Sequence, residues 1–339
     1  MKTREVPTGR AWRQTAPARD RNHKRRRDPP AWTGWDLLNG DAVPTLTVLL
    51  TTTGCSWARH NGCTMCGYFA DSNPDVQSAD IQKQFFRALA RYGRGFKIVK
   101  LFTSGSFFDP NELPVDARDA ILSSLADTPK TIVESRPEFV TSEILNDIVK
   151  LNQHVEIALG LETSDDVIRN DYINKGFSFS DFVRASENAH SAGFSVKAYL
   201  LLKPPFLTER EALEDAVRST RDASPYADTI SLNPCNVQKG TLLEALWKKG
   251  LYRPPWLWSA VEVLKQAQGI ATVICDPVGG GTKRGPHNCG KCDREILAEI
   301  KQFSLSQANA SFTTFCNDKL LWEFILEFEE FSYGAPLVE

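Results

Sequence analysis

Cys55, Cys63 and Cys66 form a C-x7-C-x2-C array inside TTTGCSWARHNGCTMCGY, the stretch from Thr51 to Tyr68. Each iron of a [4Fe–4S] cube takes one soft sulfur ligand. Three thiolates on one loop therefore hold three irons and leave the fourth open to chelate a small molecule. Ser56, Arg59, Asn61, Gly62 and Gly67 suit a loop that wraps closely round an inorganic core. Two other readings fit the same residues. One is a structural zinc knot with His60 as fourth ligand; the other is three buried cysteines without metal.

A second group lies in the C-terminal third. Cys289-Gly-Lys-Cys292 is a C-x2-C knuckle, with His287 two residues before it and Cys275 upstream. Cys275, Cys289 and Cys292 with either His287 or Cys316 would complete a four-ligand zinc site. An auxiliary iron–sulfur cluster and ordinary reduced thiols are the alternatives. The knuckle shares its loop with Gly279-Gly280-Gly281, Lys283 and Arg284, which could approach an RNA backbone. Cys235, at a predicted strand end, reads as a small core residue.

The elements that must position these residues alternate. A loop containing Trp32 and Trp35 leads into an apolar, β-branched first strand, 46–53. Helical spacing follows over 78–92, 116–125, 142–151, 165–172, 180–192 and 209–223. Between these helices lie strands at 97–103, 131–134, 154–160, 195–202 and 229–232. Six β-then-α units in succession predict a parallel sheet with right-handed crossovers, closed into a partial (β/α)6 TIM-like barrel with its site at the C-terminal strand ends. The polar clusters all stand at such ends: the cysteine loop, Ser104-Gly105-Ser106, Glu134-Ser-Arg136, Leu161-Glu162-Thr163 and Lys203-Pro-Pro.

Beyond the barrel, 294–303 and 319–331 read as helices. Leu320, Leu321, Phe324, Ile325 and Phe328 make an apolar face expected to cap the open barrel side. Trp256 and Trp258 could offer rings to bases, although packing is the commoner fate of large aromatics. The expected division is a basic arm over 1–30, a barrel over 31–240 and a C-terminal extension with knuckle and capping helices over 241–339.

A chain of 339 residues with 42% hydrophobic and 24% charged content can bury a large core, as ordinary globular proteins do. No apolar run approaches a membrane span, and the N-terminus carries no apolar signal segment, which argues against a membrane partner. Cysteines in tight local groups point to metal in a reducing cytoplasm. The net charge of −2 hides an asymmetry: residues 1–28 carry +7 and the remainder −9. A basic, proline-containing arm on an acidic body is expected to be disordered and to meet phosphates, unless it is only a solvated extension.

With these residues quoted, the chain resembles the radical S-adenosylmethionine (SAM) superfamily in its cysteine loop after the first strand and its glycine-bearing turn after the second. The resemblance implies that the methionyl amine and carboxylate of SAM chelate the open iron, and that reductive cleavage gives a 5′-deoxyadenosyl radical. It also implies that Ser104, Gly105 and Ser106 approach the methionine amine, glycine permitting close contact. Glu134-Ser-Arg136-Pro and Gly160-Leu-Glu162 resemble strand ends of the Elp3-like branch, which acts on tRNA. By that likeness Glu134, Arg136 and Glu162 are candidates to meet the SAM carboxylate and ribose. Their structural alternatives are a Glu134–Arg136 pair and a helix cap at Glu162. Many members space the first two cysteines by three residues rather than seven. Met65 stands where an aromatic residue often precedes the third cysteine, so Tyr68 or Phe69 is the candidate to meet adenine.

More closely, GCSWARHNGCTMCGY, LFTSGSFFDPNE, VESRPEFV and CDPVGGGTKRGPHNC are similar to the family of archaeosine synthase radical SAM subunits, over roughly residues 45–295. That family implies tRNA as substrate, a lysine-transferring partner subunit and a reductant protein. The partner adds lysine to the nitrile of a 7-cyano-7-deazaguanine in the D-loop. The radical enzyme then breaks the carbon–nitrogen bond within the lysine to leave archaeosine. Two further readings stay open: a radical SAM enzyme acting on a different RNA base or small molecule, and a non-catalytic RNA-binding module with structural zinc.

Overall fold

The computed structural model describes residues 30–308 and 312–330. The expected basic arm, apart from Pro30, lies outside them.

Eight strands form one sheet in chain order: β1 (Ala31–Leu38), β2 (Asp41–Leu49), β3 (Ile98–Phe102), β4 (Lys130–Ser135), β5 (Val155–Glu162), β6 (Ser195–Leu202), β7 (Thr229–Pro234) and β8 (Thr272–Cys275). β2 to β8 are parallel neighbours. The sheet curls into the expected α/β half-barrel. β1 corrects the reading of residues around Trp32 and Trp35 as a loop: it pairs antiparallel with β2, Leu38 opposite Asp41. Asn39 and Gly40, at φ 53° and 88°, make the two-residue turn that a right-twisted hairpin requires. β8 is also additional to the six expected units, and it comes from the segment beyond residue 240.

The helices are α1 (Ser56–His60), α2 (Ser78–Tyr92), α3 (Val115–Ser124), α4 (Ser142–Leu151), α5 (Phe179–Ser191), α6 (Glu209–Ala223), α7 (Leu242–Lys248), α8 (Leu257–Ala267), α9 (Asp293–Ser306) and α10 (Asp318–Phe328). Several start where a side chain satisfies otherwise unpaired backbone N–H groups. Ser178 with Asp181 caps α5, and Thr208 with Glu211 caps α6. The helix expected over 165–172 is instead a single π-helical turn at Ile168–Tyr172. Among the described residues no helix is long and apolar enough to cross a membrane.

Strand residues alternate between two environments. Leu46, Val48, Leu101, Val133, Ile157, Leu159, Val196, Leu200 and Ile230 pack with the helices in the main core. The opposite face, inside the curl, carries Lys100, Glu134, Glu156, Lys197 and Tyr199 between apolar Ile98, Ile132 and Ala158. Its charges are paired: Lys100 with Asp36 at 2.5 Å, and Glu156 with Lys130 at 3.2 Å and Lys197 at 3.1 Å. Of these residues Asp36, Lys130, Glu156 and Lys197 line a cavity at the N-terminal strand ends, opposite the cysteine loop.

The helix that covers the open side is α9, not α10. α9 packs on both β8 and β1, the two sheet edges, with Ile296, Ile300 and Phe303 buried at helical spacing. α10 lies on α6 and buries Trp322, whose indole donates to Ser259 Oγ at 2.8 Å. Leu320, Leu321, Phe324 and Phe328, expected to form the capping face, are each more than half exposed.

Candidate active site

The cysteine loop leaves β2 and crosses the C-terminal mouth of the sheet. It is tied there by bonds that sequence distance conceals. Trp57 Nε1 donates to the Asn174 carbonyl at 2.8 Å, and Asn174 Nδ2 donates to the Gly62 carbonyl at 2.7 Å. Thr64 Oγ1 donates to the Tyr172 carbonyl at 2.8 Å, and the Gly67 N–H donates to Gln238 Oε1 at 2.6 Å. The loop thus bridges the segments after β5 and β7. Met65 is buried among Ile173, Leu201, Phe206 and Leu243, with Cys63 and Cys66 against the same cluster. Burial first, and neighbouring thiolates second, push the Cys66 thiol up to about 12. The Cys55 and Cys63 thiols are also raised by burial. A desolvated thiolate set of this kind is stable only beside a cation that holds it deprotonated. His60 is exposed, with Nδ1 on the Ser56 carbonyl at 3.0 Å. Cys55, Cys63 and Cys66 form no group, among the described residues, tight enough to share one ion. Both observations disfavour a zinc knot here and suit a cluster in which each thiolate takes its own iron.

The Ser104-Gly105-Ser106 turn follows β3 and lies against Cys55. A β-carbon on Gly105 would stand 2.7 Å from Cys55 Sγ and 2.7 Å from Glu112 Oε2, so only glycine fits. The turn is held by Glu112, a residue that sequence reasoning missed. Its Oε1 accepts the N–H groups of Ser104 and Gly105 at 2.9 Å each, and the Thr52 hydroxyl at 3.0 Å. Its Oε2 accepts the Ser106 N–H at 2.7 Å. With those N–H groups turned onto Glu112, the turn has carbonyls and hydroxyls to offer a ligand. That suits an amine, which donates, better than a carboxylate.

Glu134, near the end of β4, is held mostly protonated at neutral pH. Burial, and behind it the negative charge of Glu112, push its carboxyl to about 8 despite a hydrogen bond from Tyr199. Tyr68 faces Glu134, Cys66 and Gln238. Desolvation of its hydroxyl, then the charges that Glu134 and Cys66 carry once ionised, push the phenol to about 12, although 47% of the residue's surface is exposed.

Arg136 and Glu162 meet through a third residue that was also missed, Lys175. Arg136 donates from Nη2 to the Lys175 carbonyl at 2.9 Å and from Nε to Glu138 at 2.5 Å. Its guanidinium stands 5.0 Å from the Trp57 ring and 5.4 Å from that of Phe177. Lys175 Nζ pairs with Glu162 Oε1 at 2.6 Å. Burial alone would lower the Lys175 pKa, but Glu162 and the nearby Cys63 outweigh it and raise it. A β-carbon on Gly160 would fall 2.7 Å from that ammonium. Glu162 itself has φ 68°, at a register shift between Gly160 and Glu162 that re-aims its side chain across the mouth. Glu134 and Arg136 form no ion pair with each other: Arg136 is paired with Glu138.

The comparisons with known proteins bear on this mouth. The model of the radical SAM superfamily matches residues 49–217, from the end of β2 into α6. Over 320 residues the chain is 50% identical to archaeosine synthase subunit beta of Methanosarcina acetivorans, covering 91% of this chain and 92% of that protein. It belongs to that family, within the radical SAM superfamily. The archaeosine synthase subunit beta of Thermococcus kodakarensis is 42% identical over 313 residues, covering 87% and 96% of the two proteins. The archaeal Elp3 of Methanocaldococcus infernus superposes with a TM-score of 0.46 at 19% identity, over 59% of this chain and 52% of that one.

Membership of the radical SAM superfamily implies a [4Fe–4S] cluster and SAM. The cysteine loop suits that cluster, by its desolvated thiols and by a turn packed so closely that a β-carbon would collide with Cys55.

The second cysteine group differs from the expected set. Cys275 is buried in the core, its N–H donating to Ser304 Oγ at 3.0 Å. His287 has Nδ1 on the Gly285 carbonyl at 2.8 Å. Neither joins Cys289 and Cys292, which meet Cys316 and Asp318 instead. Cys235 lies in the apolar cluster beneath the cysteine loop. Trp256 and Trp258 are buried, so neither presents a face to a base.

Proposed function

We propose that this protein is the radical SAM subunit of an archaeosine synthase. In this reading it breaks the carbon–nitrogen bond within a lysine adduct on 7-cyano-7-deazaguanine in the tRNA D-loop, leaving the nitrogen as the formamidine. The observation that carries the reading is 50% identity, over 92% of its length, with a protein named archaeosine synthase subunit beta. Its partners are then tRNA, a lysine-transferring subunit that makes the adduct, and a reductant protein.

Cys55, Cys63 and Cys66 would hold the cluster. When bound, the cluster and SAM would supply the radical chemistry that removes a hydrogen from the lysine-derived carbons. The protein's contribution is position and exclusion of water. Glu112 fixes the Ser104–Ser106 turn so that its acceptors face an amine. Glu134, protonated at neutral pH, can donate a hydrogen bond to a carboxylate or ribose oxygen where an ionised glutamate would repel the former. Arg136 is committed to Glu138 and to the Lys175 carbonyl, so its part is to hold Lys175 in place. The Lys175–Glu162 pair then presents both signs of charge to a zwitterionic methionyl group. Tyr68, half exposed above Cys66, can lie against the adenine.

The test is anaerobic. The reconstituted protein is given SAM, a reductant and tRNA carrying the lysine adduct, and both 5′-deoxyadenosine and archaeosine are assayed. Formation of both is expected, and Cys66→Ala is expected to abolish both while the barrel stays folded. 5′-Deoxyadenosine without archaeosine would overturn the substrate. Neither product, from a protein shown to hold its cluster, would overturn the reaction class.

A further inference from the structure

Cys289, Cys292, Cys316 and Asp318 bring three sulfurs and a carboxylate oxygen within 4.8 Å of one another. Two of these residues come from the knuckle ahead of α9. The other two come from the start of α10. We propose that they form a structural Zn²⁺ site that clamps the N-termini of these two helices together, a site distinct from the barrel mouth and independent of the reaction assigned there.

The distances match one tetrahedral ion. Ligands at about 2.3 Å from zinc stand about 3.8 Å from each other. Cys289 Sγ lies 3.7 Å from Cys316 Sγ and 4.0 Å from Cys292 Sγ, and Cys292 Sγ lies 3.6 Å from Asp318 Oδ2. An iron–sulfur cube would need its thiolates far wider apart, each on a different iron. A disulfide would use two of the sulfurs and strand the third beside an anion. Cys289 has two thiol neighbours at nearly the same distance, as a shared ion requires and a single covalent partner does not.

The groups around the ligands hold them in this arrangement. Asp318 accepts the Cys289 N–H at 3.0 Å and the Trp258 indole at 3.2 Å, which orients its carboxylate. Asn288 Nδ2 points at Cys292 Sγ from 3.7 Å, while its Oδ1 accepts the Leu257 N–H at 2.9 Å. Gly290, at φ 86°, makes the turn between the two knuckle cysteines, and its N–H is taken by Asp293 at 3.0 Å. The C-x2-C turn is therefore braced by the first residue of α9, and the fourth ligand by an indole from α8.

The clamp has a structural consequence. Zinc would fix the first turn of α10, whose Trp322 is docked on Ser259 of α8. Just past the end of that helix, Glu329 accepts the Glu209 N–H of α6 at 2.7 Å. Glu209 in turn pairs with Lys203 at the end of β6 at 2.7 Å. The metal would thus anchor a helix whose own apolar face is mostly exposed and gives it little grip.

The test is metal content of the full-length protein, purified anaerobically from zinc-replete medium. About one zinc per molecule is expected beside the cluster iron. Cys316→Ser should lose the zinc and keep the iron and its visible absorption. Cys66→Ala should do the reverse. Asp318→Asn should weaken zinc by about tenfold or more against a competing chelator. Should Cys316→Ser fail to fold, Co²⁺ loaded into the wild-type protein should still give thiolate charge-transfer and tetrahedral ligand-field bands. Chelation should expose the segment before α10 to protease. A folded protein without zinc, iron at this site that survives Cys66→Ala, or a mapped disulfide among the three cysteines would each overturn the proposal.

Discussion

Gly105 and Cys55 are in contact across the mouth of the sheet, with Glu112 behind them. A β-carbon at Gly105 would lie 2.7 Å from the sulfur and 2.7 Å from the carboxylate. Gly105→Ala must therefore displace either the sulfur or the backbone of the turn, at about 1–3 kcal/mol. The expected outcome is a folded protein with about half or less of the wild-type cluster iron and little SAM cleavage. Iron analysis and a 5′-deoxyadenosine assay check it.

Glu112 accepts four donors, three of them backbone N–H groups of one turn. Glu112→Ala leaves these without partners in a buried place, at about 1–3 kcal/mol for each unsatisfied group. Glu112→Gln keeps one acceptor oxygen and should fall between alanine and wild type. Thermal unfolding should rank the three proteins in that order, with SAM affinity falling in parallel.

Glu134 gives a pH signature. Its carboxyl is raised from 4.5 to about 8 in the folded protein, so the folded state holds the proton more tightly than the unfolded one. The associated stability is fully present below about pH 4.5 and is lost as pH rises through about 8. In the protein without cluster and SAM, the difference in Tm between wild type and Glu134→Gln should move in the glutamine variant's favour across that window. A difference that stays flat from acid to alkaline pH would remove the protonated Glu134 from the site.

Lys175 and Glu162 pair at 2.6 Å with only 11% of each side chain exposed, so removing one partner leaves a largely desolvated charge uncompensated. Lys175→Met should cost about 3 kcal/mol or more, and the double variant Lys175→Met with Glu162→Gln should recover much of it. If the pair faces the methionyl group as proposed above, SAM binding should not recover, because both charges are gone. Denaturation and equilibrium binding on wild type, the two single variants and the double separate the two effects.

The assignment of the barrel-covering helix also has a direct test. Phe303 of α9 is buried, and Phe303→Ala should cost about 3–5 kcal/mol. Phe324 of α10 is more than half exposed, and Phe324→Ala should change stability by about 0.5 kcal/mol or less. Denaturant unfolding of both variants measures the contrast.

The sequence by itself determined the cysteine loop, the glycine turn, six β/α units and most helix limits, because these are written in local spacing and periodicity. α2, α4 and α6 occupy the residues that helical spacing marks out. The Asn39-Gly40 hairpin was also locally encoded, but Trp32 and Trp35 in β1 lack the alternation of a strand with one buried face. Tertiary structure alone decided the partners. Glu112 lies 60 residues from Thr52, Asn174 lies 117 from Trp57, and Cys316 lies 27 from Cys289. A glutamate in a loop has the same local appearance whether it meets water or three backbone N–H groups. Likewise, the apolar stripes of α9 and α10 have the same period, and only the position of the sheet edges selects α9 as the cover. Cys275 and His287 are close to the knuckle in sequence, yet the path of the backbone carries them away and brings Asp318 in their place. Spacing names the chemistry a residue can do, whereas packing determines which residues are close enough to do it together.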